Sequence, residues 1–347
     1  MKKLLLITAI CLFSIACKKE KNEVFDRKKV LENIAYNIVT PQVNKGLKDA
    51  RNLLDNCTKL ISSPNEKQLE VSKNDWRKVL LQWKEIEILN IGTIKSSYIH
   101  SSIARWPCNP NFIDELGESQ NLNLNQIKAT GAANKGIYAI EYLLYHKDLI
   151  EDSKKLKLLQ LQTEGLVEAL EYVLELWTGS QGYLEEFTND LSSGLYSPYP
   201  SYINSLVSAI DFIYKHRLGK PMGKFNRSNA IDLDKVENPY AEISLESIRK
   251  SLKSIHLLYM GGSKLGADDE LNFIFNSSKK SNEIESQFIK CIEKSSLLDT
   301  SLKVALETQY SDLDELYNEL RKLKILLKNE LSSALSVTIV LSDTDGD

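Results

Sequence analysis

Apolar side chains recur every three or four positions along most of this chain, the spacing of a single buried stripe on an α-helix. The stripe is clearest where Trp76, Val79, Leu80, Trp83 and Ile86 step along one face. It predicts a helix from about Glu66 to Asn90, with both tryptophans in a core rather than in a ligand box. The preceding pattern, Asp26 to Ile61, is crossed by Thr40-Pro41. Proline lacks a backbone donor and disfavours helix at the residue before it, so a kink or break is expected there. Ser62-Ser63-Pro64-Asn65 ends that segment.

Further helical stripes cover Ala132 to His146 and Ser153 to Trp177, the latter with Ser153 as its expected cap. Another helix is expected to begin within 179–194, and Ile203, Leu206, Val207, Ile210 and Tyr214 mark the next. Four more follow: Glu242–Met260, Asp268–Phe275, Ser281–Leu297 and Ser311–Leu335. Strand-like alternation is confined to Val337–Leu341. Residues 91–126 and 220–239 read as irregular. A connection as long as the first is uncommon in a compact domain unless it contributes to a site. No repeat of 20 to 50 residues is present. The expected class is all-α, in two packed helical bundles or one double bundle. Residues 26–196 form the first bundle and 197–347 the second, with Ser197-Pro198-Tyr199-Pro200 as the punctuated boundary.

The first residues change the picture. Lys2 and Lys3 precede an apolar run from Leu4 to Ala16, a charged start and a short hydrophobic stretch of the export type. The run ends Ser14-Ile15-Ala16-Cys17, which resembles a bacterial lipobox, although Ser14 stands where Leu is usual. Residues 1–16 are therefore expected to be a signal peptide, Cys17 the lipidated mature N-terminus, and 17–25 a tether. An ordinary secretory peptide is the competing reading. Several acyl chains on one cysteine suffice for stable anchoring. The expected location is the periplasmic side of a bacterial membrane, the outer membrane first.

The chain carries 44 basic and 47 acidic side chains, and 42 against 47 once Lys2 and Lys3 are removed. That balance argues against nucleic acid, which needs a basic face. Scarce glycine (15) and proline (8) favour helices. Cys57, Cys108 and Cys291 remain beyond the leader, with no Cys-x-x-Cys spacing for zinc. One disulfide of open pairing and buried free thiols are both compatible with that count.

The most informative segment for function is Gly136 to Tyr145, an apolar helix with one formal charge, Glu141. A carboxylate among Ile137, Ile140, Leu143 and Leu144 is costly to desolvate unless something pairs with it. Arg105, on the irregular segment before this helix, is the candidate cationic partner, because guanidinium holds carboxylate bidentately. The alternatives are a helix-packing Glu141 and a surface Arg105. His100, His146, His216 and His256 form no zinc-protease spacing. Neither a nucleophile elbow nor a phosphate-binding glycine loop occurs. Ser342-Asp343-Thr344-Asp345-Gly346-Asp347 looks like the opening of a calcium loop whose later ligands are missing. It leaves a partial hard-cation site or an acidic tail.

Taken in order, several segments resemble the imelysin family of exported bacterial proteins. They are Arg105-Trp106-Pro107; Gly136 to Leu144, which resembles its Gly-x-His-x-x-Glu helix; Leu218 to Gly223; Ser244-Leu245-Glu246 through Tyr259-Met260-Gly261-Gly262; and Val340 to Asp347. The resemblance implies two packed helical domains, a site near their junction, a link to iron uptake and a peptidase label. It assigns the motif glutamate to Glu141. Tyr138 stands where the family has histidine, and a phenol is a poor substitute for imidazole as a metal ligand or as a base. Tyrosinate can bind ferric iron. The implied site therefore comprises Glu141, Tyr138 and Arg105, with Ser342 and Asp343 brought in by the terminal segment. Iron or another divalent or trivalent metal is the implied cofactor, with Glu141 as its ligand. Three functions follow: a binding lipoprotein of iron uptake, a metallopeptidase, and a scaffold for an outer-membrane transporter. Hydrolysis needs both a metal and a water-activating base, and Glu141 supplies only one part.

Overall fold

The computed structural model describes residues 24–340, and among them every regular element is a helix. Residues 1–23 and 341–347, including Cys17, Ser342 and Asp343, lie outside the described residues.

The chain opens with α1 (Arg27–Asn33), capped by the Asp26 side chain, and runs without a break through a π-helical stretch, Ile34–Val39, into α2 (Thr40–Ser62). The expected break at Thr40-Pro41 is absent. Pro41 falls in the first turn after the wider π stretch, where the Thr40 N–H reaches back five residues to the Ala35 carbonyl. The local widening absorbs the proline that would otherwise break the helix. Helix α3 (Glu66–Ile86) starts at an Asn65 cap and returns along α2. Trp76 and Trp83 are in the core, as their spacing predicts.

Residues 91–126 hold three short helices, Gly92–Ser96, Ile99–Ile103 and Pro110–Gly117, and the start of a fourth, Leu124–Ala129. The sequence showed no stripe there because each is too short to repeat one. The motif helix α4 (Ile137–Leu144) is shorter than expected, since Gly136 interrupts it from the preceding 3₁₀ turn Ala132–Asn134. Gly136 has φ +82°, and a Cβ there would stand 2.2 Å from the Ile103 carbonyl oxygen, so only glycine fits. Helix α5 (Ser153–Thr178) packs on α2. Its cap is Asp152, one residue before the expected Ser153, because the carboxylate accepts from the Lys154 and Lys155 N–H groups.

From the second half come α6 (Pro198–Phe212), extended by a π stretch Ile213–Gly219, then α7 (Ser244–Met260), α8 (Ala267–Phe275), α9 (Lys279–Leu297) and α10 (Tyr310–Ile325). α10 continues through a π stretch, Leu326–Leu331, into a last turn, Ser332–Ala334. Residues 337–340 form no strand. Asn204 of α6 holds them instead, accepting from the Val340 N–H (2.7 Å) and donating to the Thr338 carbonyl (2.9 Å). α9 packs against α10 and α7, and α7 packs against α3. That last contact joins the two halves over one continuous apolar core. Cys57, Cys108 and Cys291 are buried free thiols, so the disulfide alternative falls.

Candidate functional site

Glu141 is fully buried at 0 % exposure, on a helix whose neighbouring turns are filled by Ile137, Ile140 and Leu144. Trp76 fixes α4 to α3 by donating from Nε1 to the Ile137 carbonyl (2.9 Å). What meets the carboxylate is a loop from the second half of the chain. The backbone N–H groups of Ala241 (3.0 Å) and Tyr240 (3.2 Å) donate to Oε1, and Asn238 Nδ2 donates to Oε2 (3.1 Å). Asn238 is itself fully buried with φ +54°, a left-handed conformation that asparagine tolerates. Its Oδ1 accepts from Ser247 Oγ (3.3 Å) on α7, and Lys303 donates to the Pro239 carbonyl (2.8 Å).

All three partners are neutral. Burial pushes the Glu141 carboxyl up to about 7; the Ala241, Asn238 and Tyr240 bonds pull the other way, and the nearby Glu237 charge adds to the rise. The expected Arg105–Glu141 pair does not form. Arg105 is exposed, next to the cis Trp106–Pro107 bond, and none of the Glu141 bonds comes from it. Trp106, not Arg105, turns toward the motif helix, with its ring 5.3 Å from that of Tyr138.

Tyr138 does not join Glu141 either. It belongs to a second buried cluster beside it. Tyr138 donates a short hydrogen bond to Glu237, while Lys84 Nζ donates to Tyr138 Oη (3.1 Å) and to Glu237 Oε1 (2.9 Å). Arg217 Nε approaches the other Glu237 oxygen at 3.0 Å, an ion pair without hydrogen-bond alignment. The Arg217 guanidinium also pairs closely with Glu87 and donates to Ser251 Oγ (2.8 Å). Two cations thus face two carboxylates, and the cluster balances. Burial works to raise the Glu237 pKa, but Arg217 and Lys84 hold it well below the usual carboxylate range. Burial, and then the Glu237 charge, push the Tyr138 phenol well above its ordinary value. The residue therefore stays a neutral donor, not a tyrosinate.

Lys84, Glu87, Arg217, Glu237 and Asn238 were missed in the sequence, and two of them carried a signal. Lys84 continues the α3 stripe four residues beyond Leu80, and Arg217 follows Ile210 and Tyr214 by seven and three. A cation on an apolar stripe needs a buried anion. Glu237 and Asn238 sit on a loop without periodicity, and nothing local distinguishes them.

A metal does not fit here. The single carboxylate of Glu141 already accepts three hydrogen bonds, and its motif neighbour is a protonated phenol held by Lys84 and Glu237. The adjoining cluster is already charge-balanced, with Lys84 and Arg217 paired to Glu87 and Glu237, so it offers no spare carboxylate to a cation. Among the described residues, no group of three or more His, Cys, Asp or Glu is placed to hold an ion. His100 packs its ring against Trp83 (4.7 Å between rings), and desolvation lowers its pKa to about 4. His146 faces Lys155 of α5.

Two solved structures share the fold. One, named as an iron-regulated protein A precursor from Parabacteroides distasonis ATCC 8503, is 16% identical with a TM-score of 0.78, covering 91% of this chain and 97% of that one. The other, an imelysin-like protein from Psychrobacter arcticum 273-4, is 16% identical with a TM-score of 0.76, covering 92% and 99%. Among curated proteins none matches. The sequence pattern of the imelysin family, peptidase family M75, matches residues 39–327. With that match over most of its length, the chain belongs to the imelysin family.

Proposed function

We propose that this chain is an exported, lipid-anchored imelysin-family protein that serves iron acquisition by binding, as an accessory to an outer-membrane transporter, and not by hydrolysis. The observation that carries this reading is the closure of the motif glutamate. A hydrolytic carboxylate must reach a water or a metal-bound hydroxide. Glu141 instead spends its oxygens on Asn238, Tyr240 and Ala241 and is wholly buried. It works as a latch between the two halves of the chain. The link to iron comes from the structural relative named as iron-regulated. The Lys2-Lys3 leader and Cys17 support export and anchoring on the periplasmic side.

The test combines cells and purified protein. A deletion strain should grow poorly when iron is chelated, and both the wild-type gene and Glu141→Gln should restore growth. Crosslinking in iron-starved cells should recover an iron-regulated outer-membrane transporter. Casein cleavage that chelators abolish and Glu141→Gln removes would reinstate the peptidase. A deletion strain indifferent to iron supply would remove the acquisition role.

A further inference from the structure

The first described residue, Val24, lies beside an unusual patch. Phe25 packs its ring 5.7 Å from that of Phe273, and Arg27 fixes this entry by donating to Glu270 (2.9 Å) and to the Leu335 carbonyl (2.8 Å). α8 ends here with Phe273, Ile274 and Phe275, which are 42%, 43% and 46% exposed, while Val24 is 86% exposed. Three consecutive helical positions sweep about 200° of the helix circumference, so their shared exposure means that the tip of α8 projects from the body. Asn276, at φ +45°, stops the helix there. Behind the tip, Leu271 and Phe275 line a groove of about 420 Å³ that runs to Ser333 and Ala334.

We infer that this tip is the face of the protein that rests on the lipid bilayer. The inference builds on the proposed lipidation of Cys17 and adds an orientation to it. The stretch from Cys17 to Val24 reaches at most roughly 25 Å when fully extended. A lipid on Cys17 therefore holds Val24, and the apolar tip beside it, within that distance of the headgroups. Two phenylalanines and an isoleucine, half in water, gain by moving into the interface. Exposed Lys279, four residues past Phe275, is placed to meet headgroup phosphates.

The test places one tryptophan at a time in the lipidated protein. Ile274→Trp probes the tip. Leu297→Trp is the control, 72% exposed at the far end of α9, which starts just past the tip. A 19-residue helix separates the two by about 28 Å. Each variant is reconstituted in phosphatidylethanolamine–phosphatidylglycerol vesicles with brominated acyl chains, and quenching of the added emission is read against the parent protein. Several-fold stronger quenching for Ile274→Trp than for Leu297→Trp is expected. Equal or absent quenching in a firmly anchored protein overturns the docking face and leaves the anchor standing. Membrane retention that Cys17→Ser does not change removes the anchor and the orientation together. A doubled mass in solution, with the Ile274→Trp emission already shielded before vesicles are added, assigns the tip to a second copy of the chain and overturns the inference.

Discussion

Glu141 Oε1 lies 3.0 Å from the Ala241 backbone nitrogen, one hundred residues further along the chain. This contact makes Glu141 a fastener between the two halves of the molecule. Removing the acceptor should therefore cost stability. Glu141→Ala leaves two backbone N–H groups and the Asn238 amide without their acceptor, at ~1–3 kcal/mol for each orphan. The urea midpoint should show a loss of about 3–5 kcal/mol. Glu141→Gln keeps one acceptor oxygen and should lose about 1 kcal/mol. Equal losses for the two variants would contradict the latch.

Stability should also depend on pH through Glu141. Its folded pKa, about 7, is above the usual unfolded value of ~4.3. The folded state thus holds the proton more tightly. Its contribution is fully present below pH ~4.3 and is lost as pH rises through 7. The loss amounts to about 3–4 kcal/mol. Glu237 has the opposite sign, losing its contribution only under acid conditions, below the usual carboxylate pKa. Asp268, also raised to about 7 by burial, titrates in the same window. Denaturation of wild type and Glu141→Gln at pH 5 and pH 8 isolates the latch. The advantage of wild type should shrink with rising pH, and a constant difference would argue against it.

The Lys84–Glu237 pair should behave as one unit. Lys84→Met leaves Arg217 as the one cation facing Glu237 and should cost about 3–5 kcal/mol, the usual penalty for breaking a buried pair. Adding Glu237→Gln to Lys84→Met should cost much less than the sum of the two single changes. A double-mutant cycle measured by denaturation gives the coupling directly. Strict additivity would mean that the two charges do not sense one another.

Placing a histidine at position 138 should not create a metal site. Tyr138→His places an imidazole between Lys84 and Glu237, beside a glutamate still fastened to Asn238, Tyr240 and Ala241. Calorimetric titration with zinc or Fe(III) should show no stoichiometric site. Tight binding by Tyr138→His that Glu141→Gln abolishes would show that the site opens more readily than its hydrogen bonds indicate.

The long helices were legible because each repeats its apolar stripe several times, as Leu313, Leu316, Leu320, Leu323 and Leu327 do along α10 and its continuation. Glu141 was legible as a buried charge for the same reason, since every neighbouring turn is apolar. Its partners were not. Sequence pattern reports burial on one element, and the Asn238–Ala241 loop becomes a neighbour only after α7 docks on α3. Arginine is the partner that electrostatics suggests for a buried carboxylate, but backbone N–H groups and an asparagine amide serve as well and leave no mark in the sequence. Pro41 shows the same limit on a smaller scale. A π stretch can accommodate a proline, and no residue pattern announces it.

The most direct measurement is a carbon-13 NMR titration of the Glu141 carboxyl, identified by its disappearance in Glu141→Gln. Neutral donors around a buried carboxylate predict a pKa near 7 that is unmoved by Arg105→Ala or by added Fe(III). A pKa below the ordinary glutamate range, rising when Arg105 is removed or falling when iron is added, would mean that a positive charge holds this carboxylate after all.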